Sequence, residues 1–197
     1  MIDELDAALK ALLYKELGKD IEKENILISF NKPDKQFETV DRPVINLFLY
    51  DIRENLQLRS NDRSLTRNGA TGTETYAATR IDFTYLISVW TKPDIQTDQT
   101  TGVKEEHKVL GKVLTTLLRY QTLPEDVLQG TTISKQPQPP RTWVAQPEDT
   151  PKTWEFWGGN EWRLKAGISY RVTLHIQPEP VPVDLVTETV ININLLP

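Results

Sequence analysis

The chain has 197 residues, of which 38% are hydrophobic and 26% charged, a globular composition sized for one domain with a core of its own. Its formal charge is −5, with acidic and basic residues interspersed and no cysteine. No basic stripe offsets a phosphate backbone, and disulfides, thiolate nucleophiles and cysteine-ligated metal centres are excluded.

Ile2, Leu5, Leu9, Leu12, Leu13 and Leu17 recur at helical spacing and predict an amphipathic helix over about residues 3–17. Asp3, Glu4 and Asp6 stand at its positive end, and Gly18 reads as its C-terminal stop. This acidic start is unlike a signal peptide, which opens basic and then apolar. No run approaches the roughly 18 apolar residues of a membrane-spanning helix. The sequence therefore predicts a cytoplasmic protein with no direct membrane insertion.

Ile26 to Phe30 reads as a short strand closed by the turn at Asn31-Lys-Pro-Asp34, with a polar loop to residue 42. Residues 44–50 are apolar on both strand faces. From Asp51 onward Ile52, Leu56 and Leu58 lie on one face, and Asp51, Arg53, Asn55, Gln57 and Arg59 on the other. That predicts a strand over 44–59 leaving a two-sided core. Residues 60–75, with Asn68-Gly69 and Gly72, carry turn chemistry. Ile81, Phe83, Tyr85, Ile87 and Val89 then alternate as a second long strand ending near Trp90-Thr91. The pair predicts a long β-hairpin over about 44–91. Sixteen residues of strand span roughly 53 Å, against a diameter of about 42 Å for a compact domain of this size. A hairpin of that length is expected to project and to be covered by partners.

Val109, Leu110, Val113, Leu114, Leu117 and Leu118 predict a second helix over about 103–121, and Pro124 opens one more helical turn. Strands are predicted over Thr142–Gln146 and over Ile168–Ile176, which alternates cleanly, and last over Thr187–Leu195. Pro178, Pro180 and Pro182 interrupt the pattern between the final two. With no internal repeat, the order of elements predicts one α+β domain over 1–197. Its sheet is mixed and mostly antiparallel, with two main helices on one face.

Catalytic chemistry finds little support. His107 and His175 are the only histidines and lack metal-ligand spacing to each other. Asp51 and Glu54 fall on opposite strand faces, and Glu105-Glu106 begins a helix, so no convergent acid/base pair is visible. The stretch 68–73 lacks the Lys-Ser/Thr of a phosphate-binding loop. Trp154, Phe156, Trp157 and Trp162 surround Gly158-Gly159. Such rings stack on sugars or bases, but more commonly plug a core edge or an interface. A binding module that uses this loop for a glycan or peptide is the alternative reading.

Residues 42–59 (RPVINLFLYDIRENLQLR), 85–90 (YLISVW), 110–119 (LGKVLTTLLR) and 123–130 (LPEDVLQG), followed by 143–147 (WVAQP) and 155–157 (EFW), form an ordered set. This set resembles the cap, or tube-terminator, proteins of phage-tail-like contractile injection systems of the antifeeding-prophage and Photorhabdus-virulence-cassette kind. The resemblance covers nearly the whole chain, and RP-x-x-NLFLYD-x-REN is its most specific part. It implies a tail-terminator-like fold and a homohexameric ring closing the distal end of the inner tube. It implies contact with the tube protein and with the last ring of sheath protein, inside an assembled particle. It implies no enzyme activity and no cofactor, while the absence of a basic stripe argues against a nucleic-acid partner and the spacing of the two histidines against a metal site. The assembly surface is expected on Tyr50, Arg53, Glu54, Asn55, Leu56, Leu58, Arg59, Trp154, Phe156 and Trp157. Strands adding to a neighbour's sheet edge would tie such a ring together.

Overall fold

A computed structural model describes residues 1–33, 37, 39–69, 71–91, 99–146 and 165–185. Apolar residues at i, i+3 and i+4 spacing build α1, Ile2–Lys23, which buries Leu5, Leu9, Leu12, Leu13, Leu17 and Ile21. The helix runs through Gly18 instead of stopping there. Ile21 prolongs the buried stripe by one turn, and tertiary burial outweighs the helix cost of one glycine, about 1 kcal/mol. The second helix, α2, spans Gln99–Leu117, earlier than the sequence pattern placed it.

A ladder of charges joins the helices. Glu16, Asp20 and Glu24, spaced one turn apart, meet Arg119, Lys112 and Lys108, with Lys112 2.9 Å from Asp20 and 3.3 Å from Glu24. The Tyr120 hydroxyl donates to Glu16 at 2.6 Å.

The strands are β1 (Leu27–Ser29), β2 (Val44–Glu54), β3 (Arg63–Asn68), β4 (Thr71–Tyr76), β5 (Thr79–Trp90), β6 (Arg141–Val144), β7 (Gly167–Ile176) and β8 (Val181–Asp184). They form one five-stranded sheet, β1-β2-β5-β7-β6, and one three-stranded sheet, β3-β4-β8. β1 runs parallel to β2, while the β6–β7, β3–β4 and β4–β8 pairs are antiparallel. The fold is thus α+β with a mixed, mostly antiparallel sheet content and two main helices, as the sequence predicts.

Contacts divide the chain into two units, residues 1–53 with 81–174, and residues 54–80 with 175–197. The first unit holds the core. Ile45, Leu47, Phe83, Tyr85, Ile87, Tyr170, Val172 and Leu174 are buried in the large sheet. The Tyr85 hydroxyl reaches α1 and donates to Asp6 at 2.7 Å. Burial raises the Asp6 carboxyl above its usual range, partly opposed by that hydrogen bond. Another cluster gathers Phe37, Val44, Leu86 and Trp90, with Tyr50 packed against it.

The start of α1 is latched to the segment after Gly130. Glu4 accepts from the backbone N–H groups of Thr131, Thr132 and Ile133 at 3.2, 2.9 and 2.9 Å. These donors hold its pKa down to about 2. Gly130 sits at φ +117°, and a Cβ there would collide with the Glu4 carboxyl, so only glycine suits both demands.

The second unit differs from its sequence reading in three places. The strand predicted over 44–59 ends at Glu54. The Asn55 side chain then accepts from the Leu58 N–H at 3.2 Å and caps a short 3-10 helix, Leu56–Leu58. A local side chain-to-backbone bond of this kind competes directly with a strand ladder. Residues 60–75 are also more than turn chemistry. Arg63 to Asn68 pairs with Thr71 to Tyr76 residue for residue, and Gly69 turns at φ +67°. Finally, the proline-interrupted stretch contributes β8, where Pro182 lies opposite Thr73. β8 is an edge strand, the position in a sheet where proline is tolerated.

These changes alter the length argument. β2 has eleven residues and β5 twelve, about 36 and 40 Å of strand, so neither exceeds the diameter of a compact domain. Strand length alone does not require the ribbon to project.

Candidate assembly surface

The expected surface residues fall on the end of β2 and the segment after it. Tyr50 is half-buried against the Phe37–Trp90 cluster. Arg53 is 76% exposed and pairs with its neighbour Asp51 at 2.6 Å. Within the second unit, Arg59 lies 3.5 Å from Glu54. The Asn55 N–H donates to the Arg80 carbonyl at 2.8 Å, and Arg80 in turn donates to the Leu58 carbonyl at 2.8 Å. Leu56 and Leu58 are 68% and 39% exposed, so the 3-10 turn presents two leucines to solvent. A polar cleft of about 330 Å³ adjoins them, lined by Glu54, Arg59, Ser60, Asp62, Arg63 and Tyr76. Trp154, Phe156, Trp157 and Trp162, and the strand predicted over 187–195, lie outside the described residues.

Sequence reasoning missed β3. All six of its residues are exposed, and it stands at the edge of its sheet with β4 as its single neighbour among the described strands. The register puts Arg63, Leu65 and Arg67 on the face that carries Gly72, Glu74 and Tyr76. Arg63 pairs with Glu74 at 3.2 Å and lies 5.0 Å from the centre of the Tyr76 ring. A Cβ built on Gly72 would stand 3.0 Å from Leu65 and 3.1 Å from Leu185, so these two leucines close over that glycine. Leu65 nonetheless remains 54% exposed and Val181 44%. Gly72 is the one buried residue of this unit among the described residues. The signal was present in the sequence, because Asn68-Gly69 stands just before an alternating run, 71–76, that is rich in threonine.

A groove of about 590 Å³ runs beside β6 in the first unit, lined by Leu118, Tyr120, Arg141, Trp143 and Gln146. The Arg171 guanidinium covers the Trp143 ring at 4.8 Å. His107 is exposed on α2. Half-buried His175 has its pKa lowered, by burial first and then by Arg80. Among the described residues no group of three or more His, Asp or Glu side chains is placed to hold a metal ion, and no helix is long and apolar enough to cross a membrane.

Two solved structures share the fold. One is the sheath/tube terminator of an extracellular contractile injection system, PVC, in its extended state, with a TM-score of 0.61 and 25% identity. That match covers 100% of this chain and 65% of that one. The other is the anti-feeding prophage cap, a tube-terminating cap, with a TM-score of 0.62 and 23% identity over 99% of this chain and 61% of that one. The chain therefore spans less than two thirds of either structure. No curated protein sequence matches it. Residues 4–186, nearly the whole chain, match one family throughout, and the chain belongs to it: the Pvc16 N-terminal domain family.

Proposed function

We propose that this chain is a structural cap subunit. It forms a ring, expected to be a hexamer, that closes the distal end of the inner tube and anchors the last sheath ring of a contractile injection particle. The observation that carries this reading is the likeness, at 25% identity over the whole of this chain and 65% of the other, to a sheath/tube terminator. The chemistry is consistent with a role built on contacts. The surface of the second unit offers exposed leucines, arginines and strand edge, and its carboxylates Glu54 and Glu74 are each engaged with an arginine. The ribbon 44–91, with Tyr50, Arg53 to Leu56, Leu58, Arg59 and the tryptophan-bearing segment, is the proposed contact surface. The particle carrying it assembles in the cytoplasm, and the role requires neither catalysis nor cofactor.

The test is cryo-EM of particles assembled with and without this chain. A ring of it is expected at the end distal to the baseplate, and its omission should give tubes of uncontrolled length. Deletion of residues 60–75 is expected to abolish rings. A chain that leaves tube ends and tube length unchanged when omitted would overturn the cap reading.

A further inference from the structure

Among the described residues, β3 is an uncovered hydrogen-bonding edge. Such edges are normally blunted by proline, by charged side chains or by a covering element, and of these β3 carries only the charges of Arg63 and Arg67 among the described residues. β3 has no proline, its six residues are all exposed, and no described element lies along its outer side. An edge of this kind takes an extended strand, and its side-chain pattern states which one. On one face it offers Arg63, Leu65 and Arg67, and on the other Ser64, Thr66 and Asn68. Arg63 already has Glu74, whereas exposed Arg67 forms no ion pair among the described residues. The strand that fits therefore carries a carboxylate opposite Arg67 and an apolar residue opposite Leu65, two positions along.

This chain contains such a segment. Residues 187–195 read Thr-Glu-Thr-Val-Ile-Asn-Ile-Asn-Leu, an alternating, β-prone run. Set antiparallel to β3 with Glu188 opposite Arg67, it brings Val190 opposite Leu65, Thr189 opposite Thr66 and Asn192 opposite Arg63. A one-residue slip would put the carboxylate on the wrong face.

We propose that the segment 187–195 of one copy adds as a fourth, antiparallel strand to the outer edge of β3 in the next copy, in the register Glu188–Arg67 and Val190–Leu65. Reach argues against the same chain doing this to itself. β8 ends at Asp184 on the far side of β4, so the new strand lies three strand spacings away, about 14 Å. A fully extended link from Asp184 to Thr187 covers about 11 Å. Between copies there is no such limit, and a donor edge on one copy and an acceptor edge on the next make the heterologous contact from which closed rings are built. The inference deepens the cap reading and rests on it for the ring.

The absence of native cysteine makes the register directly testable in the full-length chain. Leu65→Cys and Val190→Cys proteins are prepared separately, mixed and oxidised, and the products are resolved on a non-reducing gel beside native mass spectrometry. A disulfide-linked dimer is expected, at least tenfold more abundant than when Val190→Cys is mixed with Ser64→Cys, which faces the other way. Arg67→Glu in the Leu65→Cys copy should abolish the cross-link, and Glu188→Arg in the Val190→Cys copy should restore it. Rings that form without the mixed cross-link overturn the strand exchange and leave the cap reading standing. A cross-link confined to single chains of the doubly substituted Leu65→Cys/Val190→Cys protein overturns it in favour of folding back. A chain that stays monomeric and uncross-linked removes both.

Discussion

Both polar atoms of the Asn46 side chain are buried in β2 without a hydrogen-bond partner among the described residues, and the residue is fully inaccessible. A buried amide in that state forfeits its hydration and recovers nothing, a penalty of about 1–3 kcal/mol. Asn46→Leu, which keeps the branched shape and removes the polar atoms, is expected to raise Tm by several degrees in thermal unfolding. A lower Tm would mean that the amide has a partner in solution. Glu4 is the opposite case, a carboxylate that accepts from three backbone N–H groups and the Thr131 hydroxyl. Its folded pKa of about 2 lies below the ordinary 4.5. The stability it contributes is therefore complete above pH 4.5 and is lost as pH falls from there toward 2. Glu4→Gln should lower Tm at neutral pH, and the two proteins' Tm curves should converge between pH 4.5 and 2.5. Parallel curves would show that the latch contributes nothing.

At the scale of elements, periodicity located both helices and the five-stranded sheet's longest members, because each buries an apolar stripe that repeats in sequence, while Pro124 marked the short 3-10 turn Glu125–Val127 by its fixed backbone. Their ends were less legible. Gly18 is a stop signal only where nothing beyond it is buried, and Ile21 is 4% exposed. Nothing lies within 4 Å of a Cβ built on Gly18. Gly18→Ala is thus expected to stabilise the protein by about 0.5–1 kcal/mol in denaturant unfolding, with an unchanged m-value. Asn55, β3 and β8 were misread for a shared reason. Each belongs to a segment with almost no burial, and hydrophobic patterning carries no information where there is no core to pattern against. For the proposed surface, the sequence named residues as far as Arg59 and then Trp154, Phe156 and Trp157. Beyond Arg59, the edge formed by Arg63, Leu65 and Arg67 emerges only once pairing with β4 fixes which side chains share a face.

At the scale of the whole molecule, burial among the described residues is lopsided. The unit of residues 1–53 and 81–174 contains the core, while the other unit holds its sheet together chiefly by backbone hydrogen bonds. Segments with few buried apolar contacts open at low free energy. In hydrogen-exchange mass spectrometry, amides of residues 63–76 should exchange quickly in the isolated subunit and become strongly protected in assembled rings, while amides of α1 and β7 should be slow in both. Equal protection of 63–76 before and after assembly would place the ring contact elsewhere.

The hydrogen bond between the Asn55 amide and the Arg80 carbonyl has an architectural consequence. It brings the two ends of the excursion 56–78 side by side, so a tight turn could splice them without disturbing β2 or β5. The stretch in between is a cassette, and it could lengthen, shrink or be exchanged to suit a different neighbour while the body that carries it stays unaltered.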